Sequence, residues 1–186
     1  MKIIFMRHGS TTANEQHLFC GSTNTPLSVA GEAQVRDAKK YIEKEKVDVW
    51  LCGDSLRTRQ SAKILFEELL LPTDIIQYRT DIREVDFGKF ENLSFNEISV
   101  LYPYDAKEYL TNWQSFSFPG GESAEEYYKS CKKSINDIIN TYNDSNICII
   151  AHKGYICASM SIIGGLGMGH MFELDIECGK FIAVEI

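Results

Sequence analysis

Short apolar runs alternate with longer stretches of helical spacing along this chain. The runs occupy residues 3–6, 47–52, 75–78, 147–151 and 181–186, and each reads as a strand. Between them, Ser28 is placed to N-cap a helix in which Ala30, Ala33 and Ala38 fall near one face. A second helix opens near Asp54-Ser55 and carries Ala62, Leu65 and Leu69 along a stripe. Ser123-Ala124-Glu125-Glu126 has the form of a capping box, and its helix continues through Cys131, Ile135 and Ile138. A fourth helix follows Gly154. Strands alternating with helices predict a mostly parallel sheet covered on both faces, an α/β three-layer sandwich. Residues 81–121 break the rhythm with aromatics, Pro103, Pro119, Gly120 and Gly121, and read as a short cap insertion in a single domain spanning 1–186. The last stretch, Phe172 onward, reads as two strands about Cys178-Gly179-Lys180, a hairpin.

Composition narrows the classes. The 186 residues suffice for one domain with a real core. A net charge of −7 without a Lys/Arg-rich block argues against nucleic acid as a partner. No apolar run reaches membrane-spanning length, and the first strand is too short for a signal peptide, so no membrane partner and a cytoplasmic location are expected. The six cysteines form no CxxC pair and have no close spacing to the four histidines. Free thiols in a reducing compartment are therefore expected, with no metal and no cofactor.

Candidate chemistry gathers where strands end, which is where open α/β sheets bind ligands. The first strand runs into Arg7-His8-Gly9-Ser10-Thr11, and the fourth into His152-Lys153-Gly154. One such turn is ordinary capping; two in one sheet are harder to dismiss. The second strand leads through Asp54-Ser55 to Arg57, in the first turn of a helix, where backbone N–H groups favour an anion. Arginine forks suit phosphate. After the third strand, Glu84, Asp86 and Glu91 are each candidates for a proton donor to a departing ester oxygen, and periodicity does not choose among them.

These segments, in order, resemble the histidine phosphatase superfamily, also called phosphoglycerate mutase-like. Arg7-His8-Gly9 with Asn14 is similar to its Arg-His-Gly signature. Gly21 through Asn24-Thr25-Pro26-Leu27-Ser28, with Gly31 and Gln34, resembles its Pro-Leu-Ser segment. Ser55-Leu56-Arg57-Thr58 with Gln60 resembles the segment of the second arginine, and Glu84 with Phe87-Gly88-Lys89-Phe90-Glu91 that of the acid. Pro119-Gly120-Gly121-Glu122-Ser123 and Ala151-His152 with Gly154 complete the set. The resemblance implies that His8 is a nucleophile forming a phosphohistidine. It implies that Arg7, Arg57 and His152 hold the phosphoryl oxygens, with Asn14 as a further donor, and that Glu84 is the acid and base. Gly21, Thr23 and Lys153 are expected beside the substrate. A neutral His8 is needed for attack, with its second ring nitrogen donating, for example to a backbone carbonyl.

Two positions depart from the family pattern. Lys153 stands where glycine is usual, and an outward or rim position is expected for it. Phe90 replaces a tryptophan, with Asn92 where glycine is common. The short cap and the absence of a C-terminal tail favour a phosphatase over a mutase, and within the family the chain is similar to the α-ribazole phosphatases of cobalamin assembly. The implied partner is a small-molecule phosphate ester, and the chain is expected to be a monomer or homodimer. Tyr102, Tyr104, Tyr109, Trp113, Phe116 and Phe118 either line an organic leaving-group pocket or pack a lid on the core. A mutase-type phosphotransferase, a catalytically weak phosphate-binding protein and a metallohydrolase using His8, His152 and Glu84 are the competing readings.

Overall fold

A computed structural model describes residues 1–171 and 173–186. A five-stranded sheet forms from β1 (Lys2–Arg7), β2 (Val49–Gly53), β3 (Ile76–Arg79), β4 (Ile147–Ala151) and β5 (Phe181–Glu185). Its order is β3-β2-β4-β1-β5, parallel except for β5, which runs antiparallel against β1. The helices are α1 (Thr12–Glu15), α2 (Val29–Ile42), α3 (Leu56–Leu69), α4 (Phe95–Leu101), α5 (Pro103–Asn112), α6 (Ala124–Thr141) and α7 (Lys153–Ile163). Among the described residues no helix is long and apolar enough to cross a membrane.

Successive side chains of a strand point to opposite faces, and the two faces build two cores. Ile4, Met6, Cys52, Cys148 and Ile150 pack against α2 and α3. Ile3, Phe5, Leu51, Ile147 and Ile149 pack against α6, α7 and the cap. With both sides covered, β4 is buried along its whole length. The six cysteines are free thiols, four of them buried. Ser28, Ser55 and Ser123 cap α2, α3 and α6 as their positions predicted.

Three local expectations are corrected. The buried stripe of α2 is Gly31, Val35, Ala38 and Ile42, whereas Ala30 and Ala33 face solvent. Alanine is a strong helix former but a weak marker of the inward face. Among the described residues only one strand, β5, forms near the C-terminus. The segment before it is held by the Gly179 N–H, which donates to the Arg7 and His8 carbonyls (3.0 and 3.1 Å) at the end of β1, so it lies over the end of that strand. Phe172, where the expected hairpin began, lies outside the described residues. The insertion also holds two helices, α4 and α5, that its proline content concealed; Pro103 sits in the first turn of α5, where its missing N–H costs nothing.

The cap closes on an aromatic nucleus. Phe90 is fully buried, with ring centroids 5.6 Å from Phe118, 5.9 Å from Phe19 and 5.9 Å from Phe116. Asn92 follows with φ of 61°, the left-handed region that asparagine tolerates better than most residues. Phe90→Ala is expected to cost roughly 3–5 kcal/mol by leaving a cavity in this nucleus. Urea denaturation checks it, as a lowered midpoint with little change in slope.

Candidate active site

Four parallel strands end in one crevice. Across the sheet, the loop after β3 supplies Glu84, the helix after β2 supplies Arg57, the end of β4 supplies His152, and the end of β1 supplies Arg7 and His8. Arg7 pairs in register with Ala151, so the next residues, His8 and His152, stand side by side. The His8 N–H donates to the Ala151 carbonyl (3.0 Å), and the two imidazoles meet edge to face with centroids 5.3 Å apart. Both are almost fully buried, at 3% and 1% exposed.

Burial sets their protonation. Loss of water pushes the His8 pKa well below 6.5, and the Arg57 and Arg7 charges push the same way against the opposing hydrogen bond to Gly9. His152 is likewise lowered, by burial first and then by Arg57, His8 and Arg7. A neutral His8 carries one ring proton. Its Nδ1 lies 2.7 Å from the Gly9 carbonyl, an acceptor only, so Nδ1 holds that proton and Nε2 keeps its lone pair. The Gly9 N–H is itself fixed by Ser61 Oγ at 3.1 Å, which in turn donates to the Arg57 carbonyl.

Arg57 is 1% exposed and touches no carboxylate. Its Nη1 donates to the Thr23 carbonyl (2.9 Å) and its Nη2 to the Gly21 carbonyl (2.8 Å). Of six arginines, Arg36, Arg59, Arg79 and Arg83 hold carboxylates. Among the described residues Arg7 and Arg57 make no ion pair. Arg7 Nη1 is anchored on the Ile176 carbonyl (2.7 Å), whereas its buried Nε and the buried Nδ1 of His152 have no partner among the described residues. Two guanidiniums without counter-ions, one of them with an orphaned buried Nε, are costly unless an anion completes them.

The three acidic candidates separate by environment. Glu91 is spent on structure. It accepts from the backbone N–H groups of Gly21, Ser22, Thr23 and Phe87 and from the Thr23 hydroxyl (2.6 Å). Asp86 accepts from the Gly88 N–H (3.0 Å) in its own turn. Asp86 also lines the open cleft of about 560 Å³, but of the three Glu84 is the one that lines that cleft, the second of about 1020 Å³ and a small apolar pocket. Its Oε2 accepts from the Gly154 N–H (3.1 Å), at the electropositive start of α7. Its Oε1 accepts from its neighbour Val85 (3.1 Å). A Cβ at position 154 would lie 2.1 Å from Glu84 Oε1, so only glycine admits this carboxylate.

The remaining expected residues divide. Asn14 uses its side-chain oxygen to cap α1, accepting from the Thr11 N–H (3.0 Å), and lines the larger cleft. Gly21 lines the smaller one. Thr23, expected beside substrate, has its hydroxyl and N–H taken by Glu91 and its carbonyl by Arg57, so it serves as scaffold for the guanidinium. Lys153 is at the rim, 40% exposed, with Nζ 2.6 Å from Asp175. Sequence reasoning missed Tyr127, whose buried hydroxyl donates to the Arg83 carbonyl (3.0 Å) and sits 3.3 Å from Glu84 Oε1. It placed Glu122 in a family segment without a role; the side chain grips the Arg83 guanidinium and accepts from the Asp86 N–H (2.8 Å), bracing the loop that carries Glu84. Tyr127 is visible in the sequence only as one more residue of the buried α6 stripe.

Two guanidiniums without counter-ions and two neutral imidazoles, at the carboxyl end of a parallel sheet, define an α/β protein built to receive an oxyanion. The chain belongs to the histidine phosphatase superfamily (branch 1), whose sequence profile matches residues 3–186. It is similar to the adenosylcobalamin/alpha-ribazole phosphatase of Escherichia coli K12, at 24% identity over all of this chain and 90% of that one. It is also similar to a phosphatase of Bacillus subtilis, PhoE, named as uncharacterized, at 27% identity over 88% of this chain and 77% of that one. In fold it matches the crystal structure of the alpha-ribazole phosphatase from Shigella flexneri with a TM-score of 0.91, at 22% identity, covering 100% of this chain and 91% of that one.

Two measurements probe the site without assuming its chemistry. In NMR titration of the ligand-free protein, His8 and His152 are expected to stay neutral well below pH 6.5; a midpoint at or above that value would contradict their burial. The sign carries over to stability. The unfolded chain takes up these protons at about pH 6.5 and the folded chain does not, so stability falls as pH drops below that value. Inorganic phosphate or vanadate is expected to raise the melting temperature, by about 2.7 kcal/mol of stability at 100 times its Kd. Arg57→Met should lose most of that gain in differential scanning fluorimetry.

Proposed function

We propose that this protein is a metal-independent phosphomonoesterase working through a phosphohistidine on His8. The observation that carries this reading is the meeting of a neutral, oriented His8 with two unpaired guanidiniums in one buried crevice. In the first step His8 Nε2 attacks phosphorus, the P–N bond forms and the P–O bond to the leaving alcohol breaks. Phosphoryl transfer is chiefly positioning plus charge stabilisation. Arg7, Arg57 and His152 stabilise the charge that spreads over the equatorial oxygens, and the Asn14 amide adds a donor. Glu84 delivers a proton to the departing alkoxide. In the second step Glu84 removes a proton from water, the water oxygen bonds to phosphorus, and the P–N bond breaks to release inorganic phosphate and neutral His8.

Fixed side-chain cations supply the positive charge, so the sequence of steps needs no metal. The short cap leaves the crevice open through two polar clefts, which favours water over a retained second alcohol as the acceptor and so a phosphatase over a mutase. The substrate class is a small organic phosphate. The names of the relatives supply α-ribazole phosphate as the specific candidate, and with it a place in cobalamin assembly.

Incubation with a ³²P-labelled phosphate ester and acid-free denaturation should trap label on the wild-type protein and none on His8→Ala. Turnover by His8→Ala at the wild-type rate would overturn the mechanism. Glu84→Gln separates acid catalysis from attack. It is expected to slow alkyl phosphate hydrolysis by roughly 10²–10⁴-fold, with a much smaller effect on formation of the phosphoenzyme from p-nitrophenyl phosphate, whose leaving group needs no proton. Equal losses on both would remove Glu84 from the role of acid. The physiological ester is sought with a panel of α-ribazole phosphate, phosphoglycerates, sugar phosphates and a phosphopeptide.

A further inference from the structure

We propose that the preferred leaving group is an apolar alcohol no larger than one ring, seated in the aromatic pocket behind Glu84. The inference rests on the phosphatase reading above but not on α-ribazole phosphate as the ester: α-ribazole joins a polar ribose to a fused two-ring base, and this pocket argues against it. The pocket measures about 140 Å³ and is walled chiefly by Phe19, Phe87, Tyr109, Trp113, Phe118 and Met171. Its charged lining groups are Glu84 and Lys153, and the Lys153 ammonium is turned to Asp175. Water is held poorly in such a space, because it needs two to four polar partners. An apolar cavity of about 150 Å³ in another protein stays dry and admits benzene. The size therefore suits one six-membered ring or a branched chain, and a fused two-ring group is too large.

Position makes this pocket relevant to the reaction. Glu84 is a shared wall, lining the apolar pocket as well as both open clefts. An ester oxygen that takes its proton from Glu84 has its first carbon at the mouth of the pocket. The walls are also preformed. Phe87 stands edge-on to Phe19 and to Phe118, with centroids 5.1 and 5.0 Å apart, and Tyr109 lies 5.7 Å from Phe118. Phe118 in turn packs edge-on against the buried Phe90. Rings locked in this way lose little entropy when a ligand arrives.

The open clefts offer a leaving group less. In the smaller one Glu122 is committed to Arg83 and Asp54 to Arg59. Desolvation of an apolar group in the aromatic pocket is then the largest source of discrimination between alcohols.

The test compares benzyl phosphate, 2-naphthylmethyl phosphate and glycerol 1-phosphate, whose alcohols are similar in acidity and so make similar demands on Glu84. For the wild type, kcat/KM for benzyl phosphate should exceed that for glycerol phosphate by about tenfold or more, with naphthylmethyl phosphate well below benzyl. Ala124→Leu, which fills the pocket from the start of α6, should lower the benzyl value about tenfold and leave glycerol phosphate unchanged. Trp113→Ala, which opens the pocket, should raise naphthylmethyl relative to benzyl. Benzyl and glycerol esters cleaved within twofold of each other would overturn the inference while leaving the phosphatase reading intact. If Ala124→Leu depresses both esters equally, Trp113→Ala decides, and no gain on the larger ester overturns the inference. Hydrolysis of none of the three, together with none of the wider panel, overturns the phosphatase reading and this inference with it.

Discussion

The buried guanidinium of Arg57 is the constraint around which the site is arranged. A cation taken out of water costs several kcal/mol unless paired, and here its protein partners are backbone carbonyls alone. Those carbonyls, from Gly21 and Thr23, face inward because Glu91 gathers the N–H groups of the same turn on the opposite side. One carboxylate thus orients a loop, and the loop orients a guanidinium without neutralising it. Burial first, and this residual charge second, hold His8 and His152 neutral, and the charge favours any oxyanion that can reach it. Stability is traded for a site that is incomplete until an anion fills it.

Glu84 is built on the opposite logic. It sits on the first turn of α7, against a glycine that must lack a side chain, below a tyrosine from α6 and beside a loop braced by Glu122. Two helices, α6 and α7, converge on one carboxylate carried by a braced loop. In the proposed reaction a proton donor held this firmly meets the leaving oxygen at a fixed place, beside the aromatic pocket that Glu84 also lines. Positioning for chemistry and selection among alcohols then depend on one side chain.

Much of this was legible in the chain. All five strands and the caps at Ser28, Ser55 and Ser123 follow from local patterns, because alternation, helical spacing and capping are short-range properties. The repeated motif of strand, histidine and glycine marked the two imidazoles. What was not legible depends on contacts distant in sequence. Thr23 looked like a ligand contact because it lies in a motif, yet its polar groups are claimed by Glu91 and Arg57, 68 and 34 residues away. Ala30 and Ala33 carried too little hydrophobicity to report which way α2 faces. The cap helices were masked by Pro103, whose place at a helix start is compatible with the helix it seemed to break. Tyr127 and Glu122 act through the residues they brace, and no spacing rule announces that.

The sequence by itself determined the strand and helix alternation, the strand-end positions of His8 and His152, and the set of residues able to handle a phosphate. Tertiary structure decided which of three carboxylates lines both clefts and the apolar pocket, which arginines stay unpaired, and what lies behind Glu84. The physical reason is the range of the interactions. Strand and helix formation answers to neighbours within a few residues. Burial of charge, loss of water and the shape of a pocket are created only when distant segments, such as those of Arg7 and Ile176, 169 residues apart, come together.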